Sequence, residues 1–83
     1  MSKWKDVNNK LSKDFRFNSY LDGVNFVVEV ANLAETHNHH PEINLKYKKV
    51  IIITTTHDKG NMITEKDEKL CKDIDSIFNN NFI

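Results

Sequence analysis

The spacing of apolar residues along the chain switches between two periods, and the switches mark the elements. Across residues 11–17, Leu11, Phe15 and Phe17 share one parity with Lys13 interrupting them, an alternation that predicts a strand with one wetted face. Residues 4–7 are placed as its hairpin partner, across a turn at Asn8 and Asn9. From Ser19 the period lengthens. Tyr20, Leu21, Val24, Val27, Val28, Ala31 and Ala34 form the stripe of an amphipathic helix, with Ser19 as N-cap and Asp22 in the place of a capping-box glutamate. Phe26, Val30 and Leu33 widen the stripe, so this helix is expected to be covered on two sides, and Gly23 costs it about 1 kcal/mol relative to alanine. The helix must end before Pro41, because the residue preceding a proline is pushed out of the α region.

Ile43, Leu45 and Tyr47 then alternate with polar residues, Lys48 and Lys49 read as a turn, and residues 50–56 are strongly β-branched. This is a hairpin whose second strand runs directly into His57. After a loop of His57, Asp58, Lys59, Gly60 and Asn61, Thr64 reads as the N-cap of a second helix, with Asp67 three residues on and an apolar stripe of Leu70, Ile74, Ile77 and Phe78. Asn79, Asn80 and Asn81 read as a polar tail. The expected architecture is one α+β domain over residues 1–83: a four-stranded antiparallel sheet with two helices packed on one face, in the order β-β-α-β-β-α. The other sheet face must be solvated or used for association.

Composition narrows the function classes. A chain of 83 residues hides only about 60% of its unfolded surface, so a separate cofactor domain does not fit. Twelve Lys and Arg against twelve Asp and Glu leave no net charge to recognise a nucleic-acid backbone. The longest apolar run, residues 50–53, is far short of a membrane span, and the first five residues carry no signal-peptide stretch, so a soluble cytoplasmic protein is expected. Cys71 is alone and cannot close an internal disulfide; its place beside Leu70 reads as packing. With 39% hydrophobic residues, a subunit this small is expected to borrow buried surface from a partner.

All four histidines fall between positions 37 and 57, three of them in His37-Asn38-His39-His40. Histidines near a helix C-terminus can simply complement its dipole. Alternatively, His37 and His39, alternating on an extended chain, could grip one metal ion with His57 arriving from the next strand, although no cysteine or helical His-x-x-x-His pair supports this. The third reading is acid–base chemistry, since histidine gives and takes protons near neutrality and two or three around a pocket suit a dehydration or a tautomerisation. No nucleophile elbow, phosphate loop or CxxC motif accompanies them.

One pattern bears on that choice. Glu35, His39-His40-Pro41, Tyr47, His57 and Asp67, at the spacings found here, resemble the signature of the pterin-4a-carbinolamine dehydratases, and the surrounding segments fall in that family's order from about Trp4 to Phe78. The chain departs from the family in lacking residues for a further N-terminal helix and in a first hairpin about two residues shorter. Ile43 stands where many members carry an aromatic, and the loop from His57 to Asp67 is one residue longer, around Asn61.

What the resemblance implies is dehydration of a 4a-hydroxytetrahydropterin to quinonoid dihydropterin and water, the step that recycles the pterin after an aromatic amino-acid hydroxylase has used it. No metal and no organic cofactor is implied. His39, His40 and His57 would be catalytic; Asn38, Pro41, Thr55, Thr56 and Asp58 would contact the pterin; Glu35 and Asp67 would support them. Adjacent residues of an extended chain face opposite ways, so His39 and His40 are given different tasks. His40 is assigned as the acid, His57 as orienting or proton-accepting partner, and His39 as holding the ring. Glu35 reads equally as a partner fixing a histidine tautomer and as a surface carboxylate, Asp67 as a first-turn helix residue, Tyr47 as core or interface packing, and His37 as a solvent-facing helix end. The partners implied are the pterin and further copies of the chain, as homodimer or homotetramer, without direct nucleic-acid or membrane contact. A non-catalytic dimerisation or coactivator module of the same fold is the alternative.

Overall fold

A computed structural model of the chain describes residues 3–82, and the elements follow the expected order: β1 (Lys5–Val7), β2 (Lys10–Arg16), α1 (Tyr20–His37), β3 (Glu42–Lys46), β4 (Lys49–Thr54) and α2 (Glu65–Asn81). The strands form one antiparallel sheet in the order β1-β2-β4-β3. The β1–β2 turn is made by Asn8 and Asn9, both left-handed at φ 53° and 64°. Two consecutive positive φ values match the twist of a tight hairpin, asparagine is among the residues that tolerate them, and the Asp6 carboxylate closes the turn by accepting from Asn9 N–H at 3.2 Å.

Register decides which side is core. Phe15 lies opposite Val50 and Lys13 opposite Ile52, so one parity of β2 and β4 faces the helices. There Phe15, Phe17, Val50 and Ile52 meet Phe26 and Val30 of α1 and Leu70 and Ile74 of α2. The Phe15 ring sits 4.8 Å from that of Phe26 and 5.0 Å from that of Phe78. Lys13 shares this parity and is accommodated by charge: its ammonium bonds Asp75 at 2.8 Å and lies 4.9 Å from the centre of the Phe15 ring. Trp4 Nε1 donates to the same carboxylate at 3.1 Å, which fastens the start of the sheet to α2. The opposite parity, with Ser12, Asp14, Arg16, Asn44 and Lys46, is polar apart from Val7, Ile51 and Ile53. Among the described residues no helix is long and apolar enough to cross a membrane.

Five expectations are corrected. The buried face of α1 is Gly23, Phe26, Val30 and Ala34, whereas Tyr20, Leu21, Val28 and Ala31 are exposed. Both sets have helical spacing, and the sheet takes the one carrying the large Phe26 ring. Ser19 does cap α1, accepting from Asp22 N–H at 3.1 Å, but the reciprocal half of a capping box is made only at α2, between Thr64 and Asp67. Tyr47 is not in the core: it forms the β3–β4 turn with Lys48 and is 72% exposed. The asparagines taken for a tail are the last turn of α2, and β4 stops at Thr54 rather than running on to residue 56.

This packing predicts the effect of truncating each stripe. Phe26→Ala should lower unfolding free energy by about 3–5 kcal/mol, whereas Leu21→Ala should change it by only about 0.5 kcal/mol in dilute solution, both measured by urea denaturation. The reverse order would contradict the assignment of the buried face.

Candidate active site

The last turn of α1 sets up the histidines. Asn38 adopts the left-handed conformation (φ 50°, ψ 43°), its N–H bonds Glu35 O at 3.2 Å, and the next N–H, of His39, reaches back to Ala34 O at 3.0 Å. That is a Schellman closure, in which asparagine substitutes for the usual glycine. The chain leaves it extended, and His39 and His40 then point to opposite sides. The His39 side chain turns inward, 12% exposed, with Nε2 2.6 Å from Asp67 Oδ1, while the His40 side chain stays 58% exposed with Nε2 2.5 Å from Glu35 Oε2. Because Glu42 pairs with Ile53, residues 39–41 approach the chain just beyond the end of β4.

Asp67 gathers that end of the molecule. It is fully buried, yet each oxygen is bonded: Oδ1 accepts from Thr54 Oγ1 at 2.7 Å and from His39, and Oδ2 accepts from Thr56 Oγ1 at 2.7 Å and from Thr64 N–H at 3.0 Å. Burial alone would push the carboxyl up, but His39, the Thr64 N–H and the hydroxyls of Thr54 and Thr56 together outweigh it and hold the group below the usual carboxylate range. By contrast, burial aided by the charges of Asp75 and Asp67 pushes the Cys71 thiol up to about 12, so it carries no thiolate at neutral pH.

His57 follows Thr56 directly. The loop it opens is closed by reciprocal backbone bonds, Thr56 N–H to Met62 O at 2.9 Å and Met62 N–H to Thr56 O at 3.3 Å. Gly60 and Asn61 turn it with φ 71° and 59°, and Asn61 Oδ1 comes back to His57 Nδ1 at 3.0 Å. Thr55 ties this loop to the first hairpin by donating to Asn9 O at 2.9 Å. The segments carrying His39, His40 and His57 thus meet at one end of the sheet, His39 being tied through Asp67 to Thr56, which precedes His57, and each ring has one nitrogen bonded to a protein oxygen. Among the described residues no three His, Cys, Asp or Glu side chains are grouped to hold a metal ion. A groove of about 740 Å³ along Trp4, Lys13, Phe15 and Asp75 has no histidine in its lining.

Other expected residues take different places. Thr55 and Thr56 are 6% and 2% exposed, with their hydroxyls donated to Asn9 O and Asp67 Oδ2. Asn38 and Asp58 are exposed and Pro41 half-buried beside the histidines. Both readings of Glu35 hold: its side chain is a surface carboxylate, 76% exposed, and its Oε2 bonds His40 Nε2. His37 is not a free helix end: its Nε2 lies 2.8 Å from Asp73, pinning the end of α1 to α2. Asp67 is the first-turn residue expected, but it is also the partner of His39. Thr54 and Asn61 escaped sequence reasoning as site residues. For Thr54 a signal existed: a hydroxyl at a position sharing the inward parity of Val50 and Ile52 must have a buried partner.

A family model described as pterin 4 alpha carbinolamine dehydratase matches residues 1–77. A protein of Sulfurisphaera tokodaii, provisionally named pterin-4-alpha-carbinolamine dehydratase, is 40% identical over 77 residues, covering 93% of this chain and 82% of that one. One of Roseiflexus sp. (strain RS-1) with the same provisional name is 42% identical over 74 residues, 89% of this chain and 78% of that one. Among solved structures, a transcriptional coactivator/pterin dehydratase from Brucella melitensis superposes with a TM-score of 0.83 at 29% identity, covering 89% of this chain and 80% of that chain. A pterin dehydratase-like protein identified as a RuBisCO assembly factor in the alpha-carboxysome gives 0.77 at 25% identity, over 92% and 89% of the two chains.

Asp67→Asn removes the one charge on which these donors converge and should cost about 3 kcal/mol at pH 7, by urea denaturation. The folded carboxyl titrates below its unfolded value, so its stabilising contribution is complete above about pH 4 and fades as pH falls through the folded value. The gap between wild type and Asp67→Asn should therefore narrow below about pH 4. A gap unchanged from neutrality into acid would contradict the ionised, four-donor carboxylate.

Proposed function

The chain belongs to the pterin 4 alpha carbinolamine dehydratase family, and on that premise we propose that it is a hydro-lyase converting a 4a-hydroxytetrahydropterin to quinonoid dihydropterin and water. In that reaction the C4a–O bond breaks as the leaving hydroxyl takes up a proton, and N5 loses its proton so that its electron pair forms the C4a=N5 double bond. One proton enters, one leaves, and no electrons are transferred to another molecule. The enzyme must supply an acid, a base and orientation, and each general acid–base contribution is worth roughly 10²- to 10⁴-fold.

The observation that carries the reading is the arrangement of three imidazoles at one end of the sheet, each with one nitrogen held by an oxygen of the protein. The other nitrogen of each ring is left for substrate. His40, exposed and oriented by Glu35, is assigned as the acid for the hydroxyl; His57, oriented by Asn61, as the group that accepts the N5 proton or orients the pterin; and His39, fixed on Asp67, as the holder of the ring. Asn38, Pro41 and Asp58 are the proposed pterin contacts around them, with Thr55 and Thr56 beneath. The reaction calls for no metal or organic cofactor. In the cell the chain would act in the cytoplasm, recycling tetrahydrobiopterin released as the carbinolamine by an aromatic amino-acid hydroxylase, with no direct nucleic-acid or membrane partner.

The exposed stripe of Leu21 and Val28 on α1 is the surface on which a homodimer or homotetramer would form. That stripe, with the coactivator and assembly-factor descriptions of the two solved structures, also favours a second reading, a non-catalytic association module.

Turnover of synthetic 4a-hydroxytetrahydropterin separates the two. Wild type should accelerate dehydration, and replacing His39, His40 and His57 together should abolish the acceleration while leaving oligomer size, by light scattering, unchanged. His40→Ala alone should cost about 10²-fold or more. Near-normal turnover by His40→Ala alongside a dead His39→Ala would overturn the division of roles, and no acceleration by wild type would leave the association module.

A further inference from the structure

Thr54 ends β4 at an inward position and is 1% exposed, so its hydroxyl has no water to bond and must be satisfied inside the protein. It donates to Asp67 Oδ1 at 2.7 Å, the same oxygen that His39 Nε2 approaches at 2.6 Å. The directions of the remaining bonds can be assigned. Lys66 N–H is donated to Thr64 Oγ1 at 3.3 Å, and Thr56 has a single hydroxyl proton, committed to Asp67 Oδ2 at 2.7 Å. The 2.7 Å contact between the Thr56 and Thr64 hydroxyls is therefore a donation from Thr64 to Thr56. With Thr64 N–H on Oδ2, Asp67 receives from three donors besides His39, and an ionised carboxylate, with about four acceptor sites, can only accept. The fourth partner, His39 Nε2, must then carry the proton.

We propose that Thr54 is a positioning residue: its hydroxyl fixes Asp67 Oδ1 as the acceptor of the His39 Nε2 proton, so that His39 meets its substrate through Nδ1. None of the hydrogen bonds among the described residues uses His39 Nδ1. The proposal rests on the reading of the histidines as a pterin site for its kinetic consequence, but not for the tautomer. Oδ2 is anchored twice without help, by Thr56 and the Thr64 backbone, whereas Oδ1 has only Thr54 to define where it sits when the imidazole moves. Removing that hydroxyl leaves the ring to hold the carboxylate, instead of the carboxylate holding the ring.

The test combines ring ¹⁵N NMR with turnover of 4a-hydroxytetrahydropterin, in wild type, Thr54→Val and Thr54→Ser. In wild type, with the ring neutral, His39 should show a protonated Nε2 and an unprotonated Nδ1. Thr54→Val, which keeps the shape and loses the donor, should leave Nε2 protonated but shift and broaden its ¹⁵N resonance as Oδ1 loses its fixed place, and lower kcat about tenfold with KM little changed, the scale of one lost hydrogen bond to a charged group. Thr54→Ser should restore both. A wild-type ring protonated at Nδ1, or a folded Thr54→Val with unaltered ring resonances and kcat, overturns the proposal. If Thr54→Val does not fold, the wild-type ring spectrum decides alone. Absence of wild-type turnover would refute the dehydratase reading while the spectrum still tests the tautomer.

Discussion

A carboxylate buried without water must either be neutral or be surrounded by donors, because burying a lone charge costs several kcal/mol. Asp67 takes the second course. Its four donors come from three parts of the chain: Thr54 and Thr56 at the end of β4, the Thr64 backbone at the start of α2, and His39 beyond the end of α1. None of these segments is held at its end by hydrophobic contact alone. The aromatic core around Phe15, Phe26 and Phe78 sets the layers against each other, the pairing of Glu42 with Ile53 brings the histidine segment to the end of β4, and Asp67 fixes the His39 ring there. Fold and candidate chemistry therefore meet at the residue that caps a helix.

The three imidazoles are held with unequal strength. His39 is bonded to a charge in a water-poor setting, where such a bond is strong and geometrically demanding. His40 with Glu35 and His57 with Asn61 are exposed pairs, where solvent screens the interaction and the side chains keep more of their freedom. One fixed ring and two adjustable ones suit a division in which the first positions a substrate and the others follow protons as bonds rearrange. The His37–Asp73 pair and the Lys13–Asp75 pair act at a distance, fastening α2 at two further points, to α1 and to β2.

Much of this was legible in the residues, for reasons that differ by element. The β1–β2 turn could be placed because two consecutive asparagines tolerate the positive φ values a tight hairpin needs. The start of α2 could be placed because Thr64 and Asp67 are a local signal, three residues apart. The choice between two helical stripes on α1 could not, since spacing alone does not say which stripe faces the sheet; bulk decides, and Phe26 lay in the stripe taken as secondary. Tyr47 continued an alternating pattern that a two-residue turn cut short. The motif positions come together at one end of the sheet, but the link from His39 to Asp67 spans 28 residues and depends on a closed fold. Thr54 read only as a strand former and Thr56 as a pterin contact, whereas both hydroxyls bond Asp67, 13 and 11 residues further on.

The central claim is that Asp67 organises a dehydratase site in which histidines carry the protons. Its most direct test is the rate at which the purified chain dehydrates 4a-hydroxytetrahydropterin, compared with that of Asp67→Asn at a temperature where circular dichroism shows both folded. Wild type should accelerate the reaction and the variant should lose roughly 10²-fold, although all three histidines are intact. Equal turnover by the two proteins would contradict it.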